Sequence, residues 1–368
     1  MIIGILKEKG DNRVAINPDI TRRFGDDKNE VIVEKGAGAG ASFSDSEYEE
    51  AGGSIVSRDK VLSDADLFLS ILPIDGSEMK KAKSNAIYIS SYQPFASMES
   101  TQKAADAGLT ALSLDMIPRI TIAQTMDVLS SMASIAGYKA VLLGASHLPR
   151  YFPMLTTAAG SIPPAKVLIL GAGVAGLQAI ATARRLGGMV EAFDTRLAAK
   201  EEVESLGARF VMVEGATDDK DAGGYAVDQT EEYKQLQKEL IHEHVKKSDV
   251  VITTALLRGK PAPTLITKEM VEDMKAGSVV VDLASVTGGN CELTKDRETI
   301  EHNNVTIIGD SELAAQIPQH ASQMYSRNIY NYMKVFLNEG EVNIDLENEI
   351  MKSSCIVYNG ELRYGKTE

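Results

Sequence analysis

The chain has 368 residues, is 44% hydrophobic and 24% charged, and carries a formal net charge of −14. That length exceeds one ordinary core and predicts two domains, within a composition normal for a globular protein. With no Trp, few other aromatics and an overall negative charge, the chain is a poor match for nucleic acid or anionic lipid, so any membrane attachment must come through a protein partner.

The opening MIIGILKEKGD is a short strand pattern followed by charge, without the long apolar region of an export signal. Met1–Lys7, Glu30–Glu34, Asp66–Leu72 and Ala86–Ser91 read as short buried strands. Pro18–Phe24, Ser44–Ala51 and Ser97–Ala107 read as helices, with Asp45 and Ser97 as starting residues. Such alternation predicts a parallel α/β layer. A helical pattern then runs from about Ile122 to Leu143. After Pro163-Pro164 come a strand (Lys166–Leu170), a helix (Ala175–Leu186) capped by Gly187-Gly188, and strands at Met189–Asp194, Phe210–Val213, Val250–Thr253, Ser278–Asp282 and Thr306–Ile308. Residues 214–239 form a polar insertion centred on Ala222-Gly223-Gly224-Tyr225, read as a lid or loop. A last helix over residues 319–337 is expected to return to the first domain. The apolar run Lys166–Ala183 is broken by three glycines and a strand-to-helix change, and is not read as a membrane span.

The expected fold is therefore α/β, with two Rossmann-like, doubly wound parallel-sheet domains separated by a cleft. Residues 1–128 and 320–368 are assigned to the first and 129–319 to the second, nucleotide-binding one.

Gly171-Ala172-Gly173-Val174-Ala175-Gly176 fits GxGxxG, directly after an apolar strand and opening a helix, the context that gives the motif meaning. Gly171 permits the tight turn, Gly173 lets a pyrophosphate approach the backbone, and Gly176 lets helix and strand pack closely. The N–H groups of Val174, Ala175 and Gly176 then face the anion at a positive dipole end. Asp194, at the end of the second strand, is placed to accept the adenosine ribose hydroxyls and to repel a 2′-phosphate, favouring NAD over NADP. Arg196, beyond Thr195, either pairs with Asp194 or stacks on adenine. Thr254-Ala255 and Leu283-Ala284 lie where a nucleotide should cross the sheet. The five histidines form no metal spacing, so no metal site is expected, and the two cysteines, Cys291 and Cys355, read as reduced, inert thiols.

Four stretches carry a resemblance to the alanine dehydrogenase and nicotinamide nucleotide transhydrogenase group. They are Pro118–Ser131 with Ala136-Gly137-Tyr138; Phe152-Pro153-Met154 through Pro163-Pro164-Ala165; Gly171–Ala181 with Asp194-Thr195-Arg196; and Ala222–Tyr225 with Thr253-Thr254-Ala255 and Gly259–Pro263. The chain looks most like the NAD(H)-binding subunits of transhydrogenases. That resemblance implies a homodimer that binds NAD(H), a separate component that binds NADP(H), and a third that spans the membrane and couples hydride transfer to proton movement. It would place this chain in the cytoplasm, peripheral to the inner membrane through its partners.

The resemblance also implies that Arg119, Gln124, Asp127 and Ser130 serve the hydride step and that Tyr225 sits on a mobile lid. Gln124 and Asp127, three apart, would share a face at a helix start. Arg119 and Asp127 either pair and hold their loop or reach the nicotinamide end. Hydride exchange between two nicotinamide rings needs rings held close and dry rather than a general acid. Amino-acid dehydrogenation needs proton shuttles, and the positions matching the alanine dehydrogenase Lys, His and Asp are Ser70, Ser91 and Val286. Arg13 matches the carboxylate-binding arginine shared by both groups. Asp310–Ala314 departs from the family's usual turn, and Glu312 would put a negative charge near the nicotinamide. The alternatives are a divergent amino-acid dehydrogenase and a non-catalytic NAD(H) sensor or scaffold.

Overall fold

The computed structural model describes residues 1–213, 231–256 and 259–364. They fall into two compact units, Met1–Met132 with Ala315–Glu368, and Ala133–Ala314.

The first unit is built on an eight-stranded sheet. In sheet order the strands are Glu361–Leu362, Cys355–Tyr358, Thr110–Ser113, Ile87–Ser90, Leu67–Leu69, Ile2–Ile5, Glu30–Glu34 and Ser54–Val56. The six N-terminal strands are parallel and wind outward in both directions from Ile2–Ile5; the two from the C-terminal segment add antiparallel at one edge. Alternate residues of each strand feed opposite faces. Ile3, Ile5, Leu67 and Leu69 enter one core, which the Pro318–Met333 helix shares through Tyr325, Ile329 and Tyr332. Phe68, Tyr88 and Ala111 enter the other. Burial on both faces explains why these strands are short, nearly unbroken apolar runs.

The second unit repeats the plan. Its order is Arg209–Val211, Met189–Phe193, Lys166–Leu170, Val250–Thr253, Val279–Asp282, Val305–Gly309 and Glu298–His302, all parallel except the last. Val167 and Ile169 face one core, Leu168 and Leu170 the other. The strand order reverses between Lys166–Leu170 and Val250–Thr253, the switch point where a doubly wound sheet opens a crevice at its strand ends.

Three expectations need correction. The run from Ile122 is not one helix. A 3-10 segment, Thr121–Met126, ends at Asp127 in extended conformation (φ −75°, ψ 92°), and the α-helix is Val128–His147. The polar insertion is shorter than its composition suggests, because Glu231–Lys247 is helical. Ser97 does not start its helix, which is Glu99–Asp106 and follows Met98, whereas Asp45 does open Asp45–Glu50, behind Ser44, whose side chain and Glu47 form a reciprocal capping box.

Among the described residues, Val128–His147 is the helix long and apolar enough to cross a membrane. Its apolar character has another use here. Val128 enters the first unit's core, while Ala140 and Val141 enter the second unit's.

Candidate functional site: a glycine turn at the switch point

In the second unit the glycine turn behaves as its spacing predicts. Gly171 has φ +102°, which a side chain would resist, and a Cβ there would lie 2.6 Å from the Thr254 hydroxyl oxygen. A Cβ on Gly176 would sit 1.9 Å from the Gly171 carbonyl oxygen, so the helix can meet the turn only through a bare Cα. A Cβ on Gly173 would meet nothing within 4 Å; that position faces open space. Gly173 is the N-cap of Val174–Arg185 and no side chain caps it, leaving the first-turn N–H groups of Val174, Ala175 and Gly176 without a side-chain acceptor. Open space over uncapped N–H groups fits a pyrophosphate. The turn also rests on a helix from behind, since a Cβ on Gly137 would fall 2.0 Å from the Ala175 carbonyl oxygen. Gly187, with φ +87°, and Gly188, whose N–H returns to the Ala183 carbonyl, close the far end.

Asp194 is not an open acceptor. Its side chain is only 8% exposed. Oδ1 accepts the Arg196 N–H (2.8 Å) and Nε–H (3.0 Å), and Oδ2 accepts the Ala172 N–H (2.7 Å) and the Arg196 Nη2–H (3.0 Å). Of the two roles read for Arg196, pairing is the one the structure adopts. The hydrogen bond to Asp194 holds the guanidinium pKa above its ordinary value against partial burial. Thr195 lies between them, half-buried.

The crossing residues support the turn more than they line it. Thr254 donates its hydroxyl to the Gly171 carbonyl (3.0 Å). Asn290 accepts the Ala255 N–H and donates to the Ala255 and Pro263 carbonyls. Leu283 gives its N–H to the Thr253 carbonyl, and Ala284 is fully buried.

Beneath them sits Asp282, fully buried, which the sequence reading did not single out. Its carboxylate accepts the N–H groups of Ala284, Asn290 and Cys291 and the Thr294 hydroxyl. An acidic residue closing an otherwise apolar strand was the available signal. Glu312 is paired with Arg297 at 2.6 Å, so its charge is compensated. Tyr225, with the rest of the Gly-Gly-Tyr stretch, lies outside the described residues.

In the first unit, Asp127 caps the helix that follows: Oδ1 accepts the Ser130 N–H (2.9 Å) and Oδ2 the Ser130 hydroxyl (2.6 Å). Because Asp127 is extended, the shared helical face expected for Gln124 and Asp127 does not form. Gln124 and Arg119 are exposed, and among the described residues Arg119 makes no ion pair, with Asp127 or any other acid. The structure thus brings Asp127 and Ser130 together and leaves Arg119 and Gln124 projecting.

A second constellation in this unit escaped the sequence reading. Glu8, 8% exposed, accepts the Ile71 N–H (2.6 Å) and the Leu72 N–H (3.4 Å). Burial, with the Asp11 charge adding to it, raises its carboxyl to about 7 against the pull of those donors and of Arg13. Burial opposes the Arg13 charge, but hydrogen bonds from its Nε and Nη2 to Asp11 outweigh that and hold its pKa above the ordinary value. Ser91 shares a bond with the Tyr325 hydroxyl, and Ser70 with the Tyr88 hydroxyl. Glu8 could have been suspected as a charge placed directly after a buried strand.

Both cysteines are free and buried, and burial pushes each thiol up to about 11. His242 pairs with Asp273 and His244 with Glu191, on different sides of their helix.

Residues 4–136 match the family description "Alanine dehydrogenase/PNT, N-terminal domain", and residues 140–365 match "Alanine dehydrogenase/PNT, C-terminal domain". The chain belongs to the alanine dehydrogenase/PNT family. Within it, an NAD(P) transhydrogenase subunit alpha polypeptide of Rickettsia prowazekii is 41% identical over 98% of this chain and 96% of its own. A solved transhydrogenase from Sinorhizobium meliloti superposes with a TM-score of 0.91 at 40% identity, covering 99% of this chain and 100% of that one. Alanine dehydrogenase 1 of Staphylococcus aureus is more distant, 28% identical over 98% of this chain and 94% of its own.

Proposed function

We propose that this chain is the NAD(H)-binding component of a nicotinamide nucleotide transhydrogenase, an oxidoreductase that exchanges hydride between NADH and NADP⁺ with a partner subunit that holds NADP(H). The observation that carries the reading is the uncapped glycine turn at the switch point of a doubly wound sheet, in a chain about 40% identical to transhydrogenase alpha subunits over nearly its whole length.

Bound NAD(H) supplies the hydride chemistry. The chain's own residues bind and orient. Uncapped N–H groups at Val174–Gly176 take the pyrophosphate charge, with Gly173 leaving room. Asp194 holds the adenosine ribose. Thr254, Ala255, Leu283 and Ala284 keep the turn and strand ends in register, with Asp282 and Asn290 beneath them.

Gln124, Asp127, Arg119 and Ser130 serve the hydride step as orienting groups. Asp127 and Ser130 fix the loop, and Arg119 and Gln124, exposed beside it, are proposed to orient the nicotinamide and the incoming nucleotide. Tyr225 is proposed to close over NAD(H). The chain works as a homodimer, on the cytoplasmic side of the inner membrane, attached there through membrane-spanning partner subunits that couple the exchange to proton movement.

An amino-acid dehydrogenase is the second reading, favoured by the Glu8–Asp11–Arg13 cluster. Against it, the Glu8 carboxylate is already committed to two backbone N–H groups, and Ser70 and Ser91 cannot shuttle protons near neutral pH. The test is a pair of assays on purified chain. Hydride exchange from NADH to an NADP⁺ analogue is expected only when the NADP(H)-binding subunit is added. Turnover of NADH with pyruvate and ammonium by the chain alone would replace the proposal with the dehydrogenase reading. Tight NADH binding with neither activity would make the chain a sensor or scaffold.

A further inference from the structure

We infer that Arg196 is a specificity-determining residue of the nucleotide site, because its guanidinium occupies the lone pairs of Asp194 that a ribose diol needs. The inference rests on reading the second unit as the NAD(H) site.

A carboxylate offers two oxygens with roughly four acceptor positions. At Asp194 all four are taken: two donors reach Oδ1 and two reach Oδ2, at 2.7 to 3.0 Å. Two of those donors cannot leave. The Ala172 N–H belongs to the glycine turn, where Ala172 is 1% exposed. The Arg196 N–H is fixed by a local turn two residues from the acid. The guanidinium is different, since its side chain is 35% exposed and can rotate into solvent. A ribose that donates its 2′- and 3′-hydroxyls to Asp194 must therefore displace Arg196 Nε and Nη2, and no other exchange frees the acceptors.

The same pair alters the response to a 2′-phosphate. In sites of this kind a lone acid disfavours NADP by charge repulsion, whereas a nearby arginine accommodates it. Here both groups are present and neutralise each other at bonding distance. Arg196 thus competes with the ribose of NAD(H) and masks the charge that would reject NADP(H). It works against binding of the first nucleotide and weakens exclusion of the second.

The test is equilibrium binding of NADH and of NADPH to the full chain, followed by nucleotide fluorescence and by calorimetry, with no turnover required. Arg196→Ala is expected to bind NADH several-fold more tightly and NADPH more weakly, so that the NADH:NADPH affinity ratio rises by about tenfold, the equivalent of one opposing charge contact removed. Arg196→Gln keeps bulk and polarity without charge and should shift the ratio the same way, which guards against a folding defect in the alanine variant. A ratio that stays constant or falls in a folded variant overturns the inference and makes the guanidinium a bystander or a direct nucleotide contact. Asp194→Asn separates the underlying reading. It should lower NADH affinity and collapse the ratio; if it changes neither, the assignment of Asp194 to the ribose fails whatever Arg196 does.

Discussion

Asp194 and Glu8 show how one chemical group, the carboxylate, is put to opposite uses by its donors. Glu8 is buried and Asp194 partly so. Asp194 is saturated by an arginine and two backbone N–H groups. Glu8 has two backbone donors, but Asp11 opposes it and burial raises its carboxyl to about 7. The sign of the pH effect follows. With a folded-state pKa above the unfolded value of 4.5, the native chain holds a proton that the unfolded chain releases between those limits. Glu8 therefore costs stability progressively as pH rises from about 4.5 to 7, by a few kcal/mol at most. Glu8→Gln is expected to flatten the fall of Tm between pH 5 and pH 8, measured by thermal unfolding; an unchanged slope would mean the carboxyl titrates normally. Gln124, exposed beside the Asp127 cap, belongs to the same scale. Shortening it to Asn should slow hydride exchange by roughly a hundredfold, the effect of misplacing an orienting group by about 1 Å, while leaving NADH affinity nearly unchanged. Loss of affinity with exchange intact would make Gln124 a binding residue only.

At the scale of elements, the close approach of two helices decides the shape of the nucleotide turn. Gly137 lets Val128–His147 press against the Ala175 carbonyl, which holds the first turn of Val174–Arg185 in place. Gly137→Ala is expected to destabilise the chain by about 1–3 kcal/mol, because backbone rather than a flexible side chain must move, and to weaken NADH binding together with Tm. A variant with normal Tm and normal affinity would show that the contact relaxes freely. The sequence made the Gly171–Gly176 turn legible because each glycine has one steric reason to be there. It also made the central strands legible, because burial on both faces leaves nothing but apolar residues. Other elements were hidden for physical causes. Thr110–Ser113 begins and ends with a polar residue that is nonetheless buried. Glu298–His302 is a charged edge strand whose sequence reads as loop. The break at Asp127 was invisible because a capping Asp inside a long helical pattern looks like ordinary surface polarity. Asp282 and Glu8 were missed because, the Thr294 hydroxyl on Asp282 aside, their donors are backbone N–H groups, which leave no mark in a sequence.

For the whole molecule, a homodimer is expected by light scattering at micromolar concentration, and a clean monomer there would remove the dimer from the proposal. The first unit depends on both ends of the chain. Ser322 and Ser326 accept the N–H groups of Val14 and Asn17, Asn328 donates to the Thr125 carbonyl, and Cys355–Tyr358 completes the sheet edge at Thr110–Ser113. A fragment ending at residue 314 should therefore show a single calorimetric transition that NADH still shifts, from the second unit, with the first unit unfolded. Two transitions in that fragment would show that the N-terminal 132 residues fold unaided. In the cell the discontinuity imposes an order of events on the ribosome. The middle of the polypeptide is synthesised and free to fold while its beginning is still waiting for the end. Throughout that interval the nascent chain exposes the unpaired edge of Thr110–Ser113 and the apolar face meant for Tyr325 and Ile329, so chaperone demand should fall on the residues made first rather than those made last.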